Sequence, residues 1–208
     1  VVQRISVSVK CSCIACIRND GIRLDKTPQR RVIPPGAIVV QPQAGLFPLA
    51  FIPTAADPEQ VLDALECTRP HILHTYPTVL RDLVALAPDR MAALRLRGAS
   101  VGSELSTQAE RDAWAVVLGI PVRDEYSTEE LGRIASQCPK GRYHLHEDIV
   151  HTEIVDDDGR PTDGVGEVVG TELHNRTMPF VRYRQGDLAR IVGEGCPCGR
   201  RTRLLVDL

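Results

Sequence analysis

Asp57-Pro58-Glu59-Gln60-Val61-Leu62-Asp63-Ala64-Leu65-Glu66-Cys67-Thr68-Arg69-Pro70-His71-Ile72-Leu73-His74 is the stretch on which the fold turns. A capping acid and a proline in the first turn open a helix. Val61, Leu62, Leu65 and Cys67 form its apolar face, Arg69-Pro70 ends it, and His71 to His74 reads as a short buried strand. The same alternation continues downstream. Pro77 restarts a helix through Val79, Leu80, Leu83, Val84 and Leu86 at helical spacing. Leu94 to Val101 is strand-like and stops at Gly102-Ser103-Glu104. Ser106 is expected to cap a third helix carrying Ala109, Ala113, Val116 and Leu118, closed by Gly119, and Val122 to Tyr126 is the next strand. This βαβαβ rhythm argues for an α/β chain with parallel strands and crossover helices.

The rhythm changes after Glu130. Leu131 to Ser136, Arg142 to His146, Val150 to Val155, Glu167 to Leu173, Phe180 to Tyr183 and Asp187 to Val192 read as short strands. Turns such as Asp156-Asp157-Asp158-Gly159 and Asp163-Gly164-Val165-Gly166 separate them, with no long helix between. An antiparallel, barrel-like subdomain follows from that spacing. The expected organisation is a poorly assigned 1–56, a βαβ nucleotide-binding subdomain over 57–137, and an antiparallel β subdomain over 138–208. Within the first segment, Ile5 to Val9 and Ala37 to Val40 are strand-like, and Arg18 to Arg31 is polar.

Composition narrows the function classes. A net charge of −2 over 208 residues gives no field that would argue for nucleic acid or an anionic membrane. Aromatic residues make up only 4%, too few for a single-strand stacking platform. No apolar run is long enough to span a bilayer, and the first residues lack a secretory layout, so a cytoplasmic protein is the expectation. The seven cysteines are an odd number in a chain too long for a disulfide miniprotein. They read as free thiols or metal ligands.

Three segments carry chemistry suited to a nucleotide. Open α/β sheets place ligands at the ends of parallel strands, where Gly102-Ser103-Glu104 and Asp124-Glu125-Tyr126-Ser127-Thr128-Glu129-Glu130 both fall. Gly102 lets a flat base approach the backbone. Tyr126 can stack on a base, and Glu130 can hold a divalent cation such as Mg2+. Asp187 follows Gly186 at an expected turn between two strands, and its carboxylate can accept both hydroxyls of a ribose. Arg182 and Arg184 add positive charge for phosphate or for ion pairs.

From Asp57 to Arg203 the chain resembles the phenylacetate–CoA ligase and capsule-biosynthesis branch of the AMP-forming adenylate ligase superfamily. The matching pieces, in order, are Arg69 to Leu80, Gly102-Ser103-Glu104, Asp124 to Arg133, His144 to Asp148, His174 to Asp187, and Cys196-Pro197-Cys198-Gly199-Arg200. The resemblance implies an adenine-side segment at Gly102, Ser103 and Glu104, with Ser103 replacing a second glycine. It also implies a stacking Tyr126, a magnesium-binding Glu130 as the catalytic residue, and a ribose-binding Asp187. Asp124, Glu125, Ser127 and Thr128 complete the nucleotide segment. Glu129 stands where the family often has Ser or Thr against phosphate, a role left to Thr128. ATP or AMP and magnesium are the implied cofactors, a small carboxylic acid and coenzyme A the partners, and a homodimer the assembly the reading allows.

Cys138, His144, Cys196 and Cys198 form a Cys₃His set suited to structural zinc. His146 is the rival to His144, because alternation puts both on one strand face. Cys11, Cys13 and Cys16 read as buried or free thiols, and Cys67 stands alone. The family's Ser/Thr/Gly-rich phosphate loop with its lysine has no match here, nor does its C-terminal domain. The chain is therefore expected to be the second half of a large domain within a larger ligase, inactive alone. A nucleotide-binding relative without catalysis and a zinc-stapled interaction module are the alternatives.

Overall fold

The computed structural model describes residues 4–9, 38–40, 49–53 and 56–208, with side chains at 52, 53 and 56–208. Cys11, Cys13 and Cys16 lie outside the described residues, as does the polar stretch from Arg18 to Arg31. The chain divides into two compact units, Val1–Val122 and Arg123–Leu208. The sequence reading drew its line near residue 137 instead.

The first unit contains β1 (Arg4–Val9), β2 (Ile38–Val40), β3 (Leu49–Pro53), α1 (Pro58–Thr68), β4 (Pro70–Thr75), α2 (Pro77–Leu86), α3 (Pro88–Ala93), β5 (Gly98–Gly102) and α4 (Gln108–Leu118). Its strands run in the order β2-β3-β1-β4-β5. β4 and β5 pair in parallel, with Ile72 opposite Gly98 and Thr75 opposite Val101. The strands beyond β4 pair antiparallel. The crossover from β4 to β5 through α2 and α3 is the βαβ unit that the spacing predicts.

Local chemistry sets the helix ends. Asp57 caps α1 by accepting from the Glu59 N–H at 2.9 Å, with Pro58 in the first turn. Arg69 closes it in the left-handed region at φ 45°. The cap of α4 is Thr107, one residue after the expected Ser106. Thr107 and Glu110 form a reciprocal capping box, because the spacing Thr-x-x-Glu satisfies two orphan N–H groups at once. Ser106 is held by Arg111, whose Nη1 donates to its carbonyl at 2.6 Å and its hydroxyl at 2.7 Å. Gly119 ends α4 at φ 67°, as expected.

α3 is a helix that the sequence reading missed, since six residues cannot display a helical period. Its Arg90 reaches back to α1, where Nε, Nη1 and Nη2 meet Glu66, Glu59 and Asp63 at 2.6–2.7 Å. The core of this unit gathers Leu62, Leu65, Leu73, Leu80, Leu83, Met91, Val101 and Trp114. Truncating one such leucine to alanine costs about 2–5 kcal/mol.

The second unit contains β6 (Val122–Thr128), β7 (Gly132–Gln137), β8 (Tyr143–Leu145), β9 (Val150–Val155), β10 (Gly166–Glu172), β11 (Tyr183–Val192) and β12 (Leu204–Val206). Their order is β6-β7-β8-β12-β11-β10-β9, and the ladders within the unit are antiparallel. Leu131, Ile134, Ala135, Leu145, Ile154, Val168 and Ala189 form one core in this unit. This gives the α/β fold with a barrel-like antiparallel part that the sequence implies.

One expected turn is absent. Gly186-Asp187 was read as a turn between two strands, but β11 runs through it. The register against β10 jumps here: Arg184 faces Val169 and Leu188 faces Glu167. Gly186, at φ 84°, supplies the positive φ of a bulge rather than of a hairpin. Among the described residues no helix is long and apolar enough to cross a membrane.

Candidate functional site

The β6–β7 hairpin positions the first set of expected ligand-binding side chains. Thr128 faces Gly132 across a three-residue turn, and Gly132 takes φ 70° to close it. Tyr126 thus stands on β6 and Glu130 in the turn just beyond. The bulge in β11 positions the second set. Glu167 on β10 receives the Gly186 N–H at 3.2 Å and the Arg184 guanidinium, fixing the bulge on both sides. Arg184 in turn holds the Glu167 carboxyl below the usual carboxylate range. Arg182 pairs with Glu153 at 3.3 Å, so both arginines serve as ion-pair partners of neighbouring strands.

The two sets meet within this unit. The Tyr126 phenol donates to Asp187 Oδ2 at 2.7 Å and lies 3.3 Å from Gln185 Oε1. Burial, then the Asp187 carboxylate, pushes the Tyr126 phenol well above its ordinary value, so it remains a neutral donor at physiological pH. Tyr183 donates to Glu130 Oε1 at 2.8 Å, and that bond, with desolvation, also raises the Tyr183 phenol. Gln185 Nε2 is buried without a hydrogen-bond partner. A buried donor left unpaired costs about 1–3 kcal/mol, which a ligand's acceptor would recover.

Other expected residues are occupied by the scaffold. Asp124 accepts from the Tyr143 phenol, and its own N–H donates to Gln137. Glu125 is buried and pairs with Arg133 at 2.9 Å. Ser127 lies opposite Arg133 in the β6–β7 ladder, and the Thr128 hydroxyl accepts from the Leu131 N–H at 3.1 Å. In the first unit, Gly102 ends β5 and Ser103 sits at φ 63°. The serine therefore adopts the left-handed conformation that a glycine would take at that position. Glu104 accepts from the Thr78 N–H at 3.0 Å and from its hydroxyl, capping α2, whose own N-cap side chain makes no such bond.

The cysteines converge as their spacing predicts. Cys138, His144, Cys196 and Cys198 bring one ligand atom each to within 4.8 Å of one another. Cys138 Sγ lies 3.7 Å from Cys196 Sγ, and Cys198 Sγ lies 3.3 Å from His144 Nε2. Tetrahedral zinc with Zn–S of about 2.3 Å needs ligand atoms roughly 3.5–3.8 Å apart, so the set fits the ion. Two turns shape it: Gly141 N–H donates to the Cys138 carbonyl and Gly199 N–H, at φ 87°, to that of Cys196. β12, which the sequence reading did not foresee, pairs Leu204 with His144 and carries the second half of the set to the first. His144 Nδ1 meets the Thr202 hydroxyl at 3.1 Å, which orients the ring. His146 turns instead to Ser136, 2.8 Å away. Burial, then the nearby Arg200, holds the His144 imidazole below its ordinary value and favours the neutral ligand form.

Sequence reasoning assigns no role to Tyr183, Gln185 or Thr202. Tyr183, Gln185 and Asp187 alternate along one strand, and that spacing was the available signal.

No family model matches the chain. It is 30% identical over 145 residues to the phenylacetate-coenzyme A ligase of Thermus thermophilus, covering 64% of this chain and 32% of that protein. It is 29% identical to the phenylacetate-coenzyme A ligase of Aromatoleum evansii, covering 64% and 33%. The chain thus spans about a third of the length of these relatives. Among solved structures, an open conformation of 2-hydroxyisobutyryl-CoA ligase with its acyl-AMP and CoA superposes at a TM-score of 0.64, with 22% identity over 73% of this chain and 39% of that one. An anthranilate CoA ligase holding anthranoyl-AMP gives 0.52, with 19% identity over 71% and 31%. The motif resemblance is borne out: over this stretch the chain is a relative of the phenylacetate–coenzyme A ligases and shares the fold of AMP-forming acid–CoA ligases.

Proposed function

We propose that this chain is the nucleotide-holding part of an AMP-forming acid–thiol ligase. In that reaction a carboxylate oxygen attacks the α-phosphorus of ATP and pyrophosphate leaves. The thiol of coenzyme A then attacks the acyl carbon of the acyl-adenylate, and AMP leaves. The observation that carries the reading is the meeting of Tyr126, Gln185 and Asp187 in one hydrogen-bonded group, in a chain related to such ligases.

In this reading Asp187 accepts from the two ribose hydroxyls, the Tyr126 ring stacks on adenine, and the unpaired Gln185 Nε2 donates to the nucleotide. Ser127 and Thr128 border the phosphates from the end of β6. The β5 end at Gly102 and Ser103 is proposed separately as backbone open to a flat base, and Glu104 fixes that loop by capping α2. Glu130 is the magnesium ligand: its Oε1 bonds to Tyr183, and among the described residues the carboxylate has no other partner. Magnesium, when bound, neutralises charge on the phosphates. These groups orient and stabilise rather than react covalently, so the barrier falls by positioning and electrostatics.

Zinc is proposed for Cys138, His144, Cys196 and Cys198, with a structural role, since all four tetrahedral positions are filled by protein. The curated relatives make an aryl acid such as phenylacetate the first substrate to try. The test is acid-dependent exchange of labelled pyrophosphate into ATP by the protein that carries this chain. Exchange that requires an added carboxylic acid supports the reading, and none with any of a broad acid panel overturns it.

A further inference from the structure

Glu130 lies in a tight turn, where an acidic side chain ordinarily samples several rotamers. Here the turn is fixed at both ends, and its acid is held by one further bond. The Thr128 hydroxyl accepts from the Leu131 N–H at 3.1 Å, tying the far side of the turn to its near side. Leu131, only 1% exposed, is seated over Gly170 of β10. A Cβ at residue 170 would lie 2.2 Å from Leu131 Cδ1 and 3.2 Å from Val150 Cγ1, so glycine alone leaves room for the seat. Tyr183 then reaches from β11 to Glu130 Oε1 at 2.8 Å. Its ring is steadied edge-on by Phe180, with centroids 5.3 Å apart at 73°.

We propose that Tyr183 is a positioning residue that sets how Glu130 binds its cation. The phenol takes one lone pair of Oε1 and so would bias Glu130 toward offering Oε2 alone to a cation. Mg2+ demands near-ideal octahedral geometry with short bonds and suits a monodentate carboxylate, whereas larger cations accept a bidentate one. Tyr183 would therefore favour the small cation at Glu130. The inference rests on the adenylation reading, because that reading supplies the cation and its nucleotide partner.

The experiment measures Mn2+ binding by electron paramagnetic resonance, with a non-hydrolysable ATP analogue, in wild type, Tyr183→Phe, Glu130→Gln and the double variant. Loss of an outer hydrogen bond to a metal ligand typically costs about 10- to 100-fold in metal affinity. Tyr183→Phe is accordingly expected to weaken Mn2+ by about tenfold, to leave analogue affinity without metal unchanged, and to raise competition by Ca2+. In the double variant, adding Tyr183→Phe to Glu130→Gln should produce no further loss, since the phenol acts only through the carboxylate. Unchanged Mn2+ affinity in Tyr183→Phe would overturn the inference, as would an additive loss in the double variant. A wild-type protein that binds no Mn2+ with the analogue would instead overturn the adenylation reading itself, and this inference with it.

Discussion

The phenol of Tyr126 on β6 donates a 2.7 Å hydrogen bond to Oδ2 of Asp187 on β11. Two residues singled out from separate motifs are thus joined by one hydrogen bond. Asp187 is exposed and held beside a bulge, and Tyr126 is half-buried with its phenol kept protonated by burial and by that carboxylate. That bond holds the ring and the acid in fixed relation.

That relation separates the two jobs of Tyr126. Tyr126→Ala removes the stacking face, and base–aromatic stacking is worth about 1–3 kcal/mol, so AMP affinity should fall roughly 5- to 150-fold. Tyr126→Phe keeps the face and loses one hydrogen bond, so its affinity should stay within about tenfold of wild type. Calorimetric titration with AMP distinguishes the two, and equal affinity for wild type and Tyr126→Ala would remove the stacking role.

The thiol–imidazole cluster predicts one zinc per chain by atomic absorption. Cys196→Ser should lower bound zinc and thermal stability together, because a metal held by these four residues would join the β7–β8 turn to the segment before β12. Each kcal/mol lost lowers Tm by about 2–4 °C in a chain of this size, so a fall of several degrees is expected. Unchanged metal content in this variant would show that the site is misassigned.

Glu110 gives a pH signature in the first unit. The Thr107 N–H, then Arg81 and the Thr107 hydroxyl, hold its carboxyl down to about 2, from an ordinary 4.5. A depressed folded-state value means that the contribution is complete above the unfolded value and fades as pH falls through the folded one. The Tm gap between wild type and Glu110→Gln should therefore be constant from pH 7 to about 5 and shrink from about 4.5 toward 2. A gap independent of pH would mean that the charge contributes nothing.

Local signals were the most legible part of this sequence. Asp57-Pro58 and Gly119 mark helix ends by chemistry contained in a few residues, and Cys138, His144 and the Cys196/Cys198 pair announce a metal set by type and spacing. Pairing order was not legible, because β1 lies between β3 and β4 and β12 between β8 and β11 through contacts that no local pattern encodes. Gly186 shows a middle case. Its positive φ was readable, but a turn and a bulge require the same backbone conformation, and only the partner strand decides between them. Tyr183 and Gln185 stand in a stretch that the sequence marks as informative, yet no role could be read for them, because a phenol or an amide on a strand gains its meaning from what it touches across the sheet.

The proposed reaction activates a carboxylic acid as its adenylate. The most direct measurement is the identity of the nucleotide product when the protein that carries this chain is given ATP, magnesium, coenzyme A and phenylacetate or another acid, followed by phosphorus NMR. AMP and pyrophosphate are expected in equal amounts, formed only when an acid is present, and lost in Asp187→Ala. Formation of ADP and phosphate, or AMP release independent of any acid, would contradict it.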